Sequence, residues 1–134
     1  MKYFLKKQNT LFLLLFTMLT FSQCAGNIDD QLKKIAQEAN AQCPKMLDQW
    51  TRLDSCAVYP GKKYTYYHSV INDAKITDTT LFKTNLKPQI ISIVRTNPDM
   101  KFFRDNDVTL NYRYNDEKGN YIFSITATPE EYKK

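Results

Sequence analysis

The chain has 134 residues, with 19 Lys+Arg against 14 Asp+Glu, a formal net charge of +5, and only 3 Gly and 3 Cys. One ordinary domain fits that length, and the composition excludes collagen-like, low-complexity and disulfide-dense scaffolds. A basic balance raises nucleic acid or an anionic membrane as a partner until the position of the charges is considered.

Lys2, Lys6 and Lys7 precede the apolar run Leu11 to Leu19. That run is shorter than the about 20 residues a helix needs to cross a bilayer core. A basic start, a short apolar stretch and small or polar residues after it spell a secretory signal peptide over residues 1–23. The competing reading, an N-terminal helix buried in the core, explains the lysines less well. No later stretch is apolar enough to span a membrane. Without the three leader lysines, 16 basic residues face 14 acids, so the exported chain carries only +2 and nucleic acid drops out as a partner.

Two processing outcomes stand. Cleavage after Thr20-Phe21-Ser22 would release Gln23, whereas Cys24 sits where lipoprotein cysteines sit. Phe21-Ser22-Gln23-Cys24 resembles a lipobox loosely, with Gln23 where that pattern has a small residue. Cysteine arithmetic leans towards lipidation of Cys24, because Cys43 and Cys56 would then pair in an oxidising compartment with none left over. Such a bridge closes a loop of about a dozen residues, worth roughly 2–3 kcal/mol in the chain-entropy model.

Residues 24–134 read as a single α+β domain with an ordered core over about 27–128. Asn27 is an N-cap with Asp29 and Asp30 behind it, and Ile28, Leu32, Ile35, Ala39 and Cys43 share one helical face until Pro44 stops the helix. Thr51 to Val58 and Lys63 to Ile71 flank Tyr59-Pro60-Gly61-Lys62, which predicts a hairpin. A second helix starts at Asp78 or Thr79, with Phe82, Leu86, Ile90, Ile93 and Val94 on one face, a kink near Thr84 expected from Pro88 and an end at Asn97-Pro98. Val108, Leu110, Tyr112 and Tyr114 alternate with polar residues, and Tyr121 to Thr128 supplies the partner strand. Pairing Tyr114 with Tyr121 sets Tyr112 opposite Phe123 and Leu110 opposite Ile125. Glu130 to Lys134 reads as a frayed tail. The expected order is helix-strand-strand-helix-strand-strand, giving a four-stranded antiparallel sheet with both helices on one face.

His68 is the only histidine, and neither C-x-x-C nor H-x-x-x-H spacing occurs, so no metal site and no cofactor are expected. His68 reads as a half-buried strand histidine. Asp48 and Asp54 around Thr51-Arg52, like Asp105 and Asp107, read as loop caps and a local ion pair rather than paired catalytic carboxylates. No Gly-rich phosphate loop or nucleophile elbow is present. The oddity is tyrosine. Tyr64, Tyr66, Tyr67, Tyr112 and Tyr114 fall on expected strands and form a candidate binding surface, the alternative being that most of these rings pack beneath the helices.

Asn40-Ala41-Gln42-Cys43-Pro44 followed by Asp48 and Thr51-Arg52-Leu53-Asp54, then Gly61, Tyr64-Thr65-Tyr66 and Asn97-Pro98-Asp99-Met100, resembles a family of small exported bacterial proteins and lipoproteins. The resemblance covers most of residues 36–128 and implies export and a bacterial origin, with no activity attached. The leading expectation is a non-enzymatic domain, periplasmic or lipid-anchored, with free secretion as the alternative. It would bind an envelope protein or peptide and touch the membrane only through its anchor. An inhibitor or immunity-type protein is one alternative. A small hydrolase using Asp48, Asp54 or His68 is the other.

Overall fold

The computed structural model describes residues 27–72 and 74–134. The leader at residues 1–23 and the lipidation candidate Cys24 lie outside the described residues. Helix α1 spans Ile28–Asn40, with the Asn27 side chain accepting from the Asp29 amide and Leu32 and Ala36 buried. The Asp29 carboxylate then reaches the far end of the sheet, accepting from the amides of Gly61 (3.2 Å) and Lys62 (2.8 Å). Those two residues have φ of 86° and 58°, the left-handed turn that a Pro-Gly sequence supports.

After the cis Cys43-Pro44 bond, strand β1 (Lys45–Met46) pairs antiparallel with β2 (Thr51–Tyr59), and β2 pairs antiparallel with β3 (Lys63–Val70). Helix α2 spans Thr79–Thr96, capped by Asp78, whose carboxylate accepts from the Leu81 amide. A 3-10 turn (Pro98–Met100) and the short helix α3 (Lys101–Asp105) lead to β4 (Thr109–Asp116), β5 (Tyr121–Ala127) and the single-turn helix α4 (Pro129–Tyr132).

The fold is α+β, and its sheet departs from the expectation. It has five strands in the order β1-β2-β3-β4-β5, and β3 runs parallel to β4 from Lys63↔Thr109 to Val70↔Asp116. Direction follows from the connection: residues 71–108 carry a full helix across the sheet, which returns the chain in the direction it left. The fifth strand is a two-residue edge formed where the chain turns back after α1, too short to show alternation.

Register also shifts. Tyr114 pairs with Phe123, Tyr112 with Ile125 and Leu110 with Ala127, two residues from the expected alignment. The Asp116 carboxylate explains it by accepting from the amides of Lys118 and Asn120 and from the Asn120 side chain, which tightens the turn and lengthens β4. A shift of two preserves the faces, so apolar still meets apolar. On α2, Ile90 and Val94 are buried and Leu86 and Ile91 pack beside them, but Ile93 faces solvent. The helix runs through Pro88 as one element.

The C-terminal segment is docked rather than frayed. Tyr132 is buried, and its hydroxyl donates to the Val108 carbonyl at 2.8 Å. The Thr128 amide donates to the Glu131 carboxylate at 3.0 Å, Lys87 pairs with the same carboxylate at 2.6 Å, and Lys133 pairs with Asp107.

Candidate functional site

Strand alternation divides the candidate tyrosines between two faces. Tyr64, Tyr66, His68 and Val70 point to the helix-covered face with Leu110, Tyr112 and Tyr114, while Tyr67 points to the open face. Tyr64 and Tyr114 are buried in the core, and Tyr66 and Tyr112 pack half-buried against it. The five therefore do not form one exposed surface. On β3 alone, Tyr64 and Tyr66 share the core face and Tyr67 takes the other.

Those rings build an aromatic row across the core face. Ring centroids lie 4.9 Å apart for Tyr64–Tyr66, 5.0 Å for Tyr66–Tyr112, 6.2 Å for Tyr112–His68, 4.7 Å for His68–Tyr114 and 4.6 Å for Tyr114–Phe123. Phe103 closes one end against Tyr64 at 5.2 Å and Phe82 of α2 the other against Phe123 at 5.3 Å. His68 is buried within the row with Nδ1 unpartnered, and burial lowers its pKa against the opposing pull of the Arg113 carbonyl and the Asp54 charge. The phenols respond to burial in the opposite sense, as they must. Tyr64, Tyr66 and Tyr112 are all pushed upward, and Tyr114 is pushed up to about 12 by burial and then by the Asp48 carboxylate.

The row ends in a groove. Val70 and Tyr114 line it from the sheet, Leu81 and Phe82 from the first turn of α2, Ile76 from the segment before that helix and Trp50 from the β1–β2 loop, around a cavity of about 460 Å³. Local chemistry holds each wall. Asp48 accepts from the amides of Trp50 (2.7 Å) and Thr51 (2.8 Å), and Asn72 donates from its side chain to the Gln49 carbonyl at 2.6 Å. With the loop fixed this way, Trp50 stays 52% exposed, facing Leu81 at 58% and Phe82 at 39%. Met46 of β1 and Leu47 of the following loop are exposed as well. Exposed apolar side chains gathered around one groove leave burial energy uncollected at about 25 cal/mol per Å². Asp48, Lys75 and Asp78 supply its charged rim. Sequence reading missed Trp50, Leu81 and Phe82 as a unit because they belong to segments far apart in the chain. The signal was there in Leu81-Phe82, one apolar residue more than the core stripe of α2 needs.

The remaining candidates separate. Asp54 lies at a bulge in β2, accepting from Arg52 Nε at 2.5 Å and Ser69 Oγ at 2.5 Å, while His68 points to the other face. Asp48 is spent as a loop cap, so the sheet brings no carboxylate and imidazole together as an acid-base pair. Among the described residues no group of three or more His, Cys, Asp and Glu is placed to hold a metal ion. The expected Cys43–Cys56 bridge is not formed: both are free thiols. Each has another partner instead, Cys43 Sγ donating to the Ala39 carbonyl at 3.3 Å and buried Cys56 meeting Tyr64. No helix among the described residues is long and apolar enough to cross a membrane.

A five-stranded mixed sheet with helices on one face and an apolar groove at the end of an aromatic row defines a small α+β domain. The chain belongs to the family described as Domain of unknown function (DUF8479), whose model matches residues 27–123. No curated protein matches it in sequence. Three solved structures share the fold. A candidate secreted protein from Pseudomonas aeruginosa is 15% identical with a TM-score of 0.64, over 78% of this chain and 91% of that one. The type II secretion system pilotin AspS from Vibrio cholerae is 13% identical with a TM-score of 0.60, over 78% and 92%. The pilotin EpsS of the Vibrio vulnificus type 2 secretion system is 11% identical with a TM-score of 0.63, over 78% and 91%.

Proposed function

We propose that this protein is an exported, non-enzymatic envelope domain that holds an apolar segment of a partner protein in the groove between Trp50 and Leu81-Phe82. The observation that carries the reading is the groove itself. Three large apolar side chains face one another in solvent, on a loop and a helix turn that are each fixed by an Asp cap. A partner segment with two or three apolar side chains on one face would bury them, whereas catalysis would need polar groups that the site does not gather. The leader at residues 1–23 supports delivery to the envelope, and acylation of Cys24 would tether the domain to a membrane there. The fold shared with two type II secretion pilotins supports an accessory role in an envelope machine over a free-standing one.

The test is retention of a stoichiometric partner by the tagged protein in its native envelope. Native protein is expected to retain it, and Leu81→Glu with Phe82→Asp to lose it while keeping the same circular dichroism. Retention by the double variant contradicts the reading.

A further inference from the structure

The opposite face of the sheet carries a second constellation, built from different residues. Arg113 points there from the inner strand β4, its guanidinium carbon 4.8 Å from the Tyr121 ring centroid and 6.0 Å from that of Tyr67. The Tyr67 hydroxyl lies 2.5 Å from that of Tyr59. Tyr59, Tyr67 and Arg113 line a concavity of about 480 Å³ with Lys63, Asn111 and Thr126, no carboxylate in its wall, and Tyr121 lies beside it against Arg113.

The charge on this face is unanswered. Among the described residues neither Arg113 nor Lys63 makes an ion pair. Arg113 finds one neutral acceptor, the Asn115 side-chain oxygen at 3.2 Å. A guanidinium has five N–H donors, so a half-buried one with a single acceptor keeps several for a ligand. Asp54, the acid of the open face, is already engaged by Arg52 and Ser69.

We propose that this open face binds an anionic glycan, with Arg113 and Lys63 taking its carboxylates and the phenols of Tyr59 and Tyr121 lying against its sugar rings. Charge complementarity requires an anion. The remaining wall chooses its kind: hydroxyls, an amide and exposed phenols suit a ligand rich in hydroxyls with flat ring faces. An extended acidic peptide fits less well. At Lys63 and Arg113 the backbone of β3 and β4 is paired on both sides, so a peptide crossing there finds no main-chain groups for strand addition, the free edge of the sheet lying at β5. Its lining contains no aliphatic side chain, so the apolar part of the wall is tyrosine rings and the carbon stems of polar residues.

Equilibrium binding of the full chain to polygalacturonate tests this, with dextran as the uncharged polysaccharide and poly-glutamate as the charged peptide. Saturable binding to polygalacturonate, about tenfold tighter than to poly-glutamate and absent with dextran, is the expected result. Arg113→Gln should lose about tenfold in affinity, with Arg113→Lys recovering part of it. Lys63→Gln, at an exposed position, should weaken binding without moving the unfolding midpoint. Equal affinity for poly-glutamate, or binding that survives both neutral variants, overturns the proposal. Because the groove lies on the other side of the sheet, Leu81→Glu should leave polygalacturonate binding unchanged, and the two readings stand or fall separately.

Discussion

The side-chain amide of Asn40 pairs with both backbone groups of Cys56, donating to its carbonyl at 2.9 Å and accepting from its amide at 2.7 Å. Strand β1 reaches only Leu53 and Arg52 of β2, so Asn40 takes the place of a longer neighbour and covers part of an open edge. It also locks the end of α1 to the sheet.

Replacing Asn40 tests that lock. Asn40→Ala should cost about 1–2 kcal/mol, since it orphans a backbone donor and acceptor together. Asn40→Asp keeps the acceptor alone and should fall between. Denaturant unfolding of the three proteins measures the order, and an unchanged Asn40→Ala midpoint would show that water replaces both bonds.

The C-terminal turn contributes through Tyr132. Removing its hydroxyl in Tyr132→Phe leaves the Val108 carbonyl to the weaker options around it and should cost about 1 kcal/mol. Deleting residues 129–134 removes the whole buried ring and should destabilise by about 3–5 kcal/mol. Thermal unfolding distinguishes the two, and a truncated protein as stable as the full chain would contradict the docked description.

His68 sets a pH dependence. Burial lowers its folded pKa below the ordinary value of 6.5, so the unfolded chain takes up a proton before the folded one does. Stability is therefore fully present above about pH 6.5 and falls as pH drops towards the folded pKa. A separate loss belongs to lower pH, where Glu131, Asp107 and Asp116, all held below the usual carboxylate range by their lysine or asparagine partners, become protonated. His68→Phe should flatten the limb that begins below about pH 6.5 while leaving the acid limb in place. Loss of both limbs in that variant would assign the upper one elsewhere.

Much of the architecture is legible in the residues. The 3.6-residue stripe of α1, the Pro-Gly hairpin and the alternation of β4 and β5 each follow from local pattern. Three things escaped it. Two-residue β1 is too short for any periodicity. Parallel pairing of β3 with β4 is a property of the crossover, whose length and helix alone hint at direction. The docking of α4 was written in Thr128-Pro129-Glu130-Glu131, a Ser/Thr-x-x-Glu start that its charge disguised as a tail. Most of the strand tyrosines are core material, and the apolar groove lined by Trp50, Leu81 and Phe82 is a feature that only the folded chain brings together.

Crosslinking from α2 locates the partner, because Leu81 and Ile93 are comparably exposed apolar residues of that helix and only Leu81 lines the groove. A photo-crosslinking side chain at each position, in the native envelope, should give one discrete protein adduct from position 81 and none from position 93. The adduct should disappear with Trp50→Ala. Equal adducts from both positions, or an adduct from 93 alone, would contradict a partner held in the groove.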